Sequence, residues 1–366
     1  MIEVAAGERT VPALLARGTA ALEAAGIRPA RAEAEWLLAG LLGVDRFALY
    51  LDPQRRLATP TVSRYRAQLE RRVAREPLQH LLGWEDFHGL RLAVSPDALV
   101  PRPETEGLVA WALEMLADRV EPVVADLGTG SGAIACAIAH AAPRAEVLAV
   151  ELSAGALAVA TRNVRALGLT SRVRLLAGDL FAPLGSIQAS LDLVVANPPY
   201  LPSAVIGSLP PEVSRYEPRA ALDGGPDGLA VIRRIVAGAP SVLRPAGMLL
   251  MEIGEEQAGP VASLMAAEGF SGIRARRDLN GVERYIGGRW APTATVFAGC
   301  ASVAARREGC SEILICSSLL TRQWTAALSK RISCAFCSRP SSPSASPRSP
   351  RQRSSRLPRP IGFIEM

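Results

Sequence analysis

The sequence predicts an α/β fold, a seven-stranded and mostly parallel sheet wound by helices, with a small helical domain in front of it. Three observations predict it. Between residues 122 and 287, apolar runs of strand length alternate with helix-length patterns, as a parallel sheet with crossover helices requires. The first run, Val123-Val124-Ala125-Asp126-Leu127, leads straight into Gly128-Thr129-Gly130-Ser131-Gly132 and an Ala/Ile-rich helix. Residues 10–76, by contrast, carry apolar side chains at spacings of three, four and seven, the signature of amphipathic helices.

At 366 residues the chain has room for about two domains of roughly 100–200 residues each. It contains no run of about 18 apolar residues, and Met1-Ile2-Glu3 opens it without a basic segment and an apolar stretch behind. Neither a membrane span nor a signal peptide is therefore expected, and the expected location is cytoplasmic. The net charge of +6 is unevenly spread: residues 291–366 hold 11 of the 41 Lys and Arg and 3 of the 35 Asp and Glu. That leaves 30 basic against 32 acidic residues in 1–290, a net of −2, so the body offers no general cationic surface for a nucleic acid. Cys136 is the only cysteine before residue 300 and reads as a small buried hydrophobe. No disulfide framework is implied for the body.

In the N-terminal region Leu14, Leu15 and Leu22, then Trp36, Leu37 and Leu41, then Val62, Tyr65, Leu69 and Val73 mark helix faces, punctuated by Pro29, Pro53, Pro60 and Pro77. A bundle that merely packs and a partner-recognition domain are both compatible with this pattern. Over residues 77–100 the period shortens between Gly83, Gly89 and Pro96, which predicts a hairpin linker. Pro101-Arg102-Pro103-Glu104-Thr105-Glu106 then opens a helix through Leu108, Val109, Leu113 and Leu116. Its acidic residues suit the positive end of a helix dipole, and its two prolines hold the approach to the sheet in one conformation, as a site-lining segment could use.

The glycine-rich turn lets the backbone approach a ligand closely, but it also satisfies Gly-x-Gly-x-x-Ala, so a nicotinamide cofactor enters consideration. The second strand, residues 145–150, ends in Glu151, where a carboxylate can accept both hydroxyls of a ribose. This suits NAD and S-adenosylmethionine equally. The third, residues 173–176, runs into Gly178-Asp179-Leu180-Phe181, a carboxylate and apolar side chains placed for an adenine ring. The fourth, residues 191–196, stops at Asn197-Pro198-Pro199-Tyr200, because consecutive prolines lack N–H groups and cannot continue a sheet. Open α/β sheets bind ligands at such carboxyl ends.

That last motif favours S-adenosylmethionine over NAD, since hydride transfer has no evident use for it. An NH2 group attached to a carbonyl or an aromatic ring shares its lone pair with the π-system and attacks poorly unless its hydrogens are held and its plane is fixed. Asn197 Oδ1 and the Pro198 carbonyl can each accept one N–H, and Tyr200 can stack on the planar group. A proline-terminated strand with a chance asparagine is the bland alternative. A fifth strand over residues 247–253, a helix over 255–268 and a closing pair near 271–278 and 283–287 complete seven strands, antiparallel at the end.

The order and spacing of Gly128, Thr129, Gly130, Ser131 and Gly132, of Glu151, and of Asn197, Pro198, Pro199 and Tyr200 resemble class I S-adenosylmethionine-dependent methyltransferases that act on an amino or amide nitrogen. With the Pro-Arg-Pro-Glu-Thr-Glu segment behind a helical domain, the chain resembles more specifically the HemK-type protein-(glutamine-N5) methyltransferases that modify peptide chain release factors. Glu217-Pro218-Arg219-Ala220-Ala221-Leu222-Asp223-Gly224-Gly225, Asp227-Gly228-Leu229, Glu252-Ile253-Gly254-Glu255-Glu256-Gln257 and Asp278-Leu279-Asn280-Gly281 agree with that family. The resemblance covers about residues 10–288, and it departs at Glu151, where the family has aspartate.

The resemblance implies a Rossmann-like methyltransferase sheet over residues 101–288, a substrate-recognition domain over 1–76 and a linker over 77–100. S-adenosyl-L-methionine would be held by residues 128–132 at its methionine part, by Glu151 at the ribose and by Asp179 or Leu180 at the adenine, with Asn197 alongside. Asn197, Pro198, Pro199 and Tyr200 would bind the target glutamine, with Asn197, Pro198 and Tyr200 catalytic and no metal. The implied partner is a release factor, met by a monomer with no direct nucleic-acid binding. An adenine-N6 nucleic-acid methyltransferase poses the same nitrogen problem but is opposed by the net −2 of the body. A non-catalytic cofactor-binding or scaffold protein is a third reading.

Residues 289–366 form an atypical tail with five of the six cysteines, the only lysine and a Ser/Pro/Arg run over 338–360, which predicts disorder at least there. Cys334 and Cys337 have the spacing of a zinc pair, but no matching pair and no histidine accompany them, so a metal site is not expected. A translated frameshift or read-through would produce the same abrupt change of composition.

Overall fold

The computed structural model describes residues 9–185 and 189–291; from residue 292 the tail, with Cys334 and Cys337, lies outside them. Helices α1 (Val11–Ala24), α2 (Ala30–Leu42), α3 (Thr59–Val73) and α4 (Leu78–Leu82) pack around Leu14, Leu15, Leu22, Leu37, Tyr65 and Leu69, all buried. Proline in the first turn of α1 and α3 sacrifices only N–H groups that would have no partner there, and Gly43 closes α2 in the left-handed region at φ +64°. Two predicted face residues depart from the pattern. Val73, at the end of α3, is exposed, and Trp36 meets Trp84 edge to face at 5.5 Å.

Trp84 begins the hairpin of β1 (Trp84–Phe87) and β2 (Leu90–Ala93), closed by His88 and Gly89 at φ +48° and +76°, the positive values that a tight two-residue turn requires. Phe87, Leu90 and Leu92 are buried in the same core as Trp111 and Ile138. Asn163 secures the hairpin further: its Oδ1 accepts from Ala93 N at 2.7 Å, and its Nδ2 donates to the carbonyls of Ala93 at 3.0 Å and Ser131 at 2.8 Å.

After α5 (Thr105–Leu116) come β3 (Val123–Leu127), α6 (Ala133–Ala141), β4 (Glu146–Glu151), α7 (Ala154–Ala166), β5 (Val173–Ala177) and β6 (Leu191–Ala196). The short α8 (Pro211–Ser214), α9 (Ala230–Gly238), β7 (Leu243–Glu252), α10 (Ala258–Ala267), β8 (Phe270–Arg277) and β9 (Glu283–Trp290) follow. The seven sheet strands lie in the order β5-β4-β3-β6-β7-β9-β8, and β9 runs antiparallel to both neighbours. Side chains alternate between two cores. Val124, Val147, Leu193 and Leu250 face α5, α6 and α7, whereas Leu127, Val150, Val194 and Met251 pack with Ile232, Ile235 and Val261 of α9 and α10. Burial on both faces is why the strands read as continuous apolar runs.

Helix α10 starts later than expected because Glu256 stands at φ +66°, outside the right-handed helical region. Arg72 of α3 is buried and pairs with Glu33 at 2.6 Å and with Glu212 of α8 at 3.0 Å; Tyr216 OH donates to the Ala74 carbonyl at 3.0 Å. The helical domain is thus tied to the segment between β6 and α9. Among the described residues, no helix is long and apolar enough to cross a membrane.

Candidate active site

The strand order turns back between β3 and β6, and a crevice opens where neighbouring connections leave in opposite directions. The register lines up the strand ends there: Leu127 pairs with Val150 on one side and Ala196 on the other, and Ala196 pairs with Met251. The next residues along, Gly128, Glu151, Asn197 and Glu252, therefore form one row along the carboxyl edge.

In the turn after β3, Gly128, Gly130 and Gly132 have φ of +69°, +58° and +83°. A Cβ added at Gly128 would meet nothing within 4 Å, and at Gly130 only the Gly128 carbonyl at 4.0 Å. Packing does not demand small residues at these two positions; they leave an open cradle that side chains would fill. Gly132 differs, since its Cβ would stand 3.2 Å from Ala160 Cβ, a helix-packing restriction. The Gly128 and Thr129 amides both donate to the Val150 carbonyl, at 2.9 and 3.0 Å, which holds the turn against β4.

Glu151 accepts from Gly130 N through Oε2 and from Ser153 N through Oε1, both at 2.8 Å. Its longer side chain reaches the turn, and each oxygen keeps acceptor capacity for a hydroxyl. Beneath the turn, Asp126 is fully buried: Oδ2 accepts from Thr129 Oγ1 at 2.5 Å and Ala135 N at 3.1 Å, while Oδ1 has no partner among the described residues. Burial, with the nearby charge of Glu151 adding to it, pushes this carboxyl up to about 7. Open backbone and a carboxylate with spare acceptor capacity fit a ligand that brings an amino acid and a ribose. Cys136 below is buried, its thiol pushed up to about 12 by burial.

At the end of β6, Asn197 is half-buried and Pro198 buried. Asn197 Nδ2 donates to Thr105 Oγ1 at 3.0 Å, and Thr105 Oγ1 donates to Glu252 Oε2 at 2.7 Å. Tyr200 OH donates to the other oxygen, Glu252 Oε1, at 3.2 Å, and the Tyr200 carbonyl accepts from Gln257 Nε2 at 2.9 Å. Burial raises both Glu252 and Tyr200 above their usual ranges. The segment that follows is braced by residues 217–225. Leu201 N donates to the Leu222 carbonyl, Gly224 N to the Leu201 carbonyl, and Asp223 Oδ1 accepts from Ser203 Oγ at 2.5 Å.

Other expected positions are less simply placed. Asp179 is half-exposed and its Oδ2 accepts from Arg234 Nη2 of α9 at 2.6 Å, so its carboxylate already has a cationic partner. Leu180 adopts φ +47° and packs against the second core. Neither Glu104 nor Glu106 caps α5 through its side chain: Glu106 Oε1 accepts from His88 N at 2.8 Å and braces the hairpin. Arg102 pairs with the buried Glu217 at 2.5 Å, which joins the proline-flanked segment to the loop after β6. Thr105 and Glu252 join the site beyond the residues expected from the sequence, and an apolar strand ending in one carboxylate, Met248-Leu249-Leu250-Met251-Glu252, is a readable signal for the second.

Two domain families match this chain: the PrmC N-terminal domain over residues 13–83 and the methyltransferase small domain over residues 110–206. Three proteins named release factor glutamine methyltransferase are similar to it over most of their length. The one from Geobacter sulfurreducens is 45% identical over 264 residues, covering 72% of this chain and 91% of the relative. Those from Moorella thermoacetica and Caulobacter vibrioides are 44% and 41% identical, covering 68% and 72% of this chain and 87% and 91% of the relatives.

Proposed function

The chain belongs to the release factor glutamine methyltransferase family, and from that premise we propose that it transfers a methyl group from S-adenosyl-L-methionine to the N5 amide nitrogen of a glutamine in a peptide chain release factor. One observation carries the proposal: Asn197 sits at the crevice with its NH2 half engaged by Thr105, leaving the oxygen half for an incoming amide, one strand away from the glycine cradle.

When bound, S-adenosylmethionine supplies an electrophilic methyl on a sulfonium. Gly128, Thr129, Gly130, Ser131 and Gly132 would hold its methionine part, Glu151 its ribose, and Leu180 or Asp179 its adenine. Asn197 Oδ1 and the Pro198 carbonyl accept the two N–H groups of the target amide and fix its plane, so that the nitrogen lone pair faces the cradle. Tyr200, tethered through its hydroxyl to Glu252, offers a fixed ring for stacking. Alignment of this kind can supply effective molarities of about 10⁵–10⁸ M. A strong base is not required, because methylation makes the nitrogen acidic and its proton then passes to water.

The helical domain, with its own buried core and its ties to α8, is assigned to acceptor recognition. The enzyme is read as a cytoplasmic monomer. Incubation with labelled S-adenosylmethionine and, separately, release factor and DNA tests the proposal. Label in the release factor is expected; label in DNA, or in neither, overturns it.

A further inference from the structure

Asparagine's amide is nearly symmetric in shape, so an acceptor role at residue 197 needs something to decide which half faces the crevice. A flipped amide would present NH2 to the NH2 of the target, donor against donor. We propose that Thr105 and Glu252 are positioning residues that set the polarity of the Asn197 amide, an inference that rests on the proposed amide-methylating role.

Glu252 at the end of β7 is 2% exposed and Thr105 at the start of α5 is 4% exposed, so water does not compete for either group. The Thr105 hydroxyl has one proton, and it goes to Glu252 Oε2 at 2.7 Å. Only lone pairs remain to face Asn197. Nδ2 must therefore turn to Thr105, where it donates at 3.0 Å, and Oδ1 is turned the other way. With Thr105 donating to Oε2 and Tyr200 to Oε1, both oxygens of Glu252 accept at one end of the chain, and this dictates an acceptor at the other.

The arrangement is anchored on three sides. Pairing of Ala196 with Met251 sets Asn197 beside Glu252. Tyr285, paired in register with Glu252, donates through its hydroxyl to the Glu104 carbonyl at 2.5 Å and holds the backbone leading into Thr105. Glu252 Oε1 accepts from Tyr200 OH, so one carboxylate orients both the amide and the ring. Residues 105, 197, 200 and 252 come from three segments, the start of α5, the run after β6 and the end of β7, which is why no single motif contains the device.

Thr105→Val removes the acceptor at nearly constant shape. The buried NH2 then gains by turning toward the open crevice, and kcat should fall by about 10- to 100-fold, with KM and cofactor Kd within about threefold of wild type. Thr105→Ser should restore kcat to within about threefold. In an Asn197→Asp background, Thr105→Val should cost less than about threefold more, because a carboxylate presents an acceptor whichever way it turns. An equal loss in both backgrounds, an inactive serine variant or an unimpaired valine variant overturns the proposal. If Thr105→Val does not fold, Thr105→Cys, of similar size and weaker hydrogen bonding, carries the same comparison.

A second readout needs no acceptor protein. One Asn197 Nδ2 proton, assigned by its loss in Asn197→Asp, should be protected from exchange in wild type and unprotected in Thr105→Val. Equal protection in both overturns the relay, whereas failure of wild type to methylate release factor overturns the proposed function and leaves this result standing.

Discussion

Replacing Asn197 by alanine separates a reacting group from a strand-end residue. The substitution removes the Oδ1 acceptor and also the Nδ2 donor to Thr105, but Thr105 keeps its bond to Glu252. One lost hydrogen bond at a half-buried position costs about 1 kcal/mol of stability, so the variant should fold. A lost oriented hydrogen bond at a reacting centre costs more, about 10²–10³ in kcat by analogy with oxyanion-hole donors. The cradle at Gly128 and Gly130 and the carboxylate of Glu151 are held by other partners, so cofactor affinity should stay within about threefold. The assay pairs steady-state methyl transfer to release factor with calorimetric titration of S-adenosylmethionine. Asn197→Asp retains an acceptor oxygen of nearly the same shape, at the expense of a charge, and should keep partial activity. Wild-type turnover in both variants would refute the reasoning, because alanine leaves no group at residue 197 to hold the amide and aspartate adds a charge there.

Three further outcomes are expected. Gly130→Val should abolish cofactor binding, because a β-branched side chain is disfavoured at φ +58° and would stand in the open cradle; unchanged affinity in calorimetry removes Gly130 from the site. Burial raises Asp126 from its ordinary 3.8 to about 7, so the folded chain binds a proton that the unfolded chain releases between those values. The resulting contribution to stability is full below about pH 4 and is lost as pH rises through about 7. It amounts to about 4 kcal/mol at most, and denaturation of Asp126→Asn beside wild type should show the pH slope shrinking in the variant; parallel curves would refute it. Deleting residues 1–76 should raise KM for whole release factor far more than for a short glutamine peptide, and equal effects on both would remove the helical domain from acceptor recognition.

The sheet was legible because burial on both faces leaves long apolar runs, and the turn after β3 and the stop after β6 are marked by residues with few alternatives, glycine at positive φ and paired proline. Details that depend on distant partners were not legible. Asp179 carries the residue type suited to an adenine, but its partner at Oδ2, Arg234 from a helix 55 residues on, is not marked in the sequence. Glu106 does stand in the first turn of α5, as the sequence suggests, but the hairpin amide 18 residues earlier that donates to its carboxylate is not marked in the sequence. Thr105, between two charges in the sequence, gains its meaning only when β7 brings Glu252 to it from 147 residues away. Local spacing encodes strands and turns; the hydrogen-bond network that orients their ends is written in pairings between strands.

The most direct measurement asks which atom receives the methyl group. Release factor labelled by the enzyme from methyl-labelled S-adenosylmethionine is hydrolysed in acid, which splits a side-chain amide into glutamate and its amine. Transfer to the glutamine N5 nitrogen predicts label recovered as volatile methylamine, and no label in a release factor whose target glutamine is replaced by glutamate. Label remaining on a non-volatile amino acid, or surviving that replacement, would contradict the account.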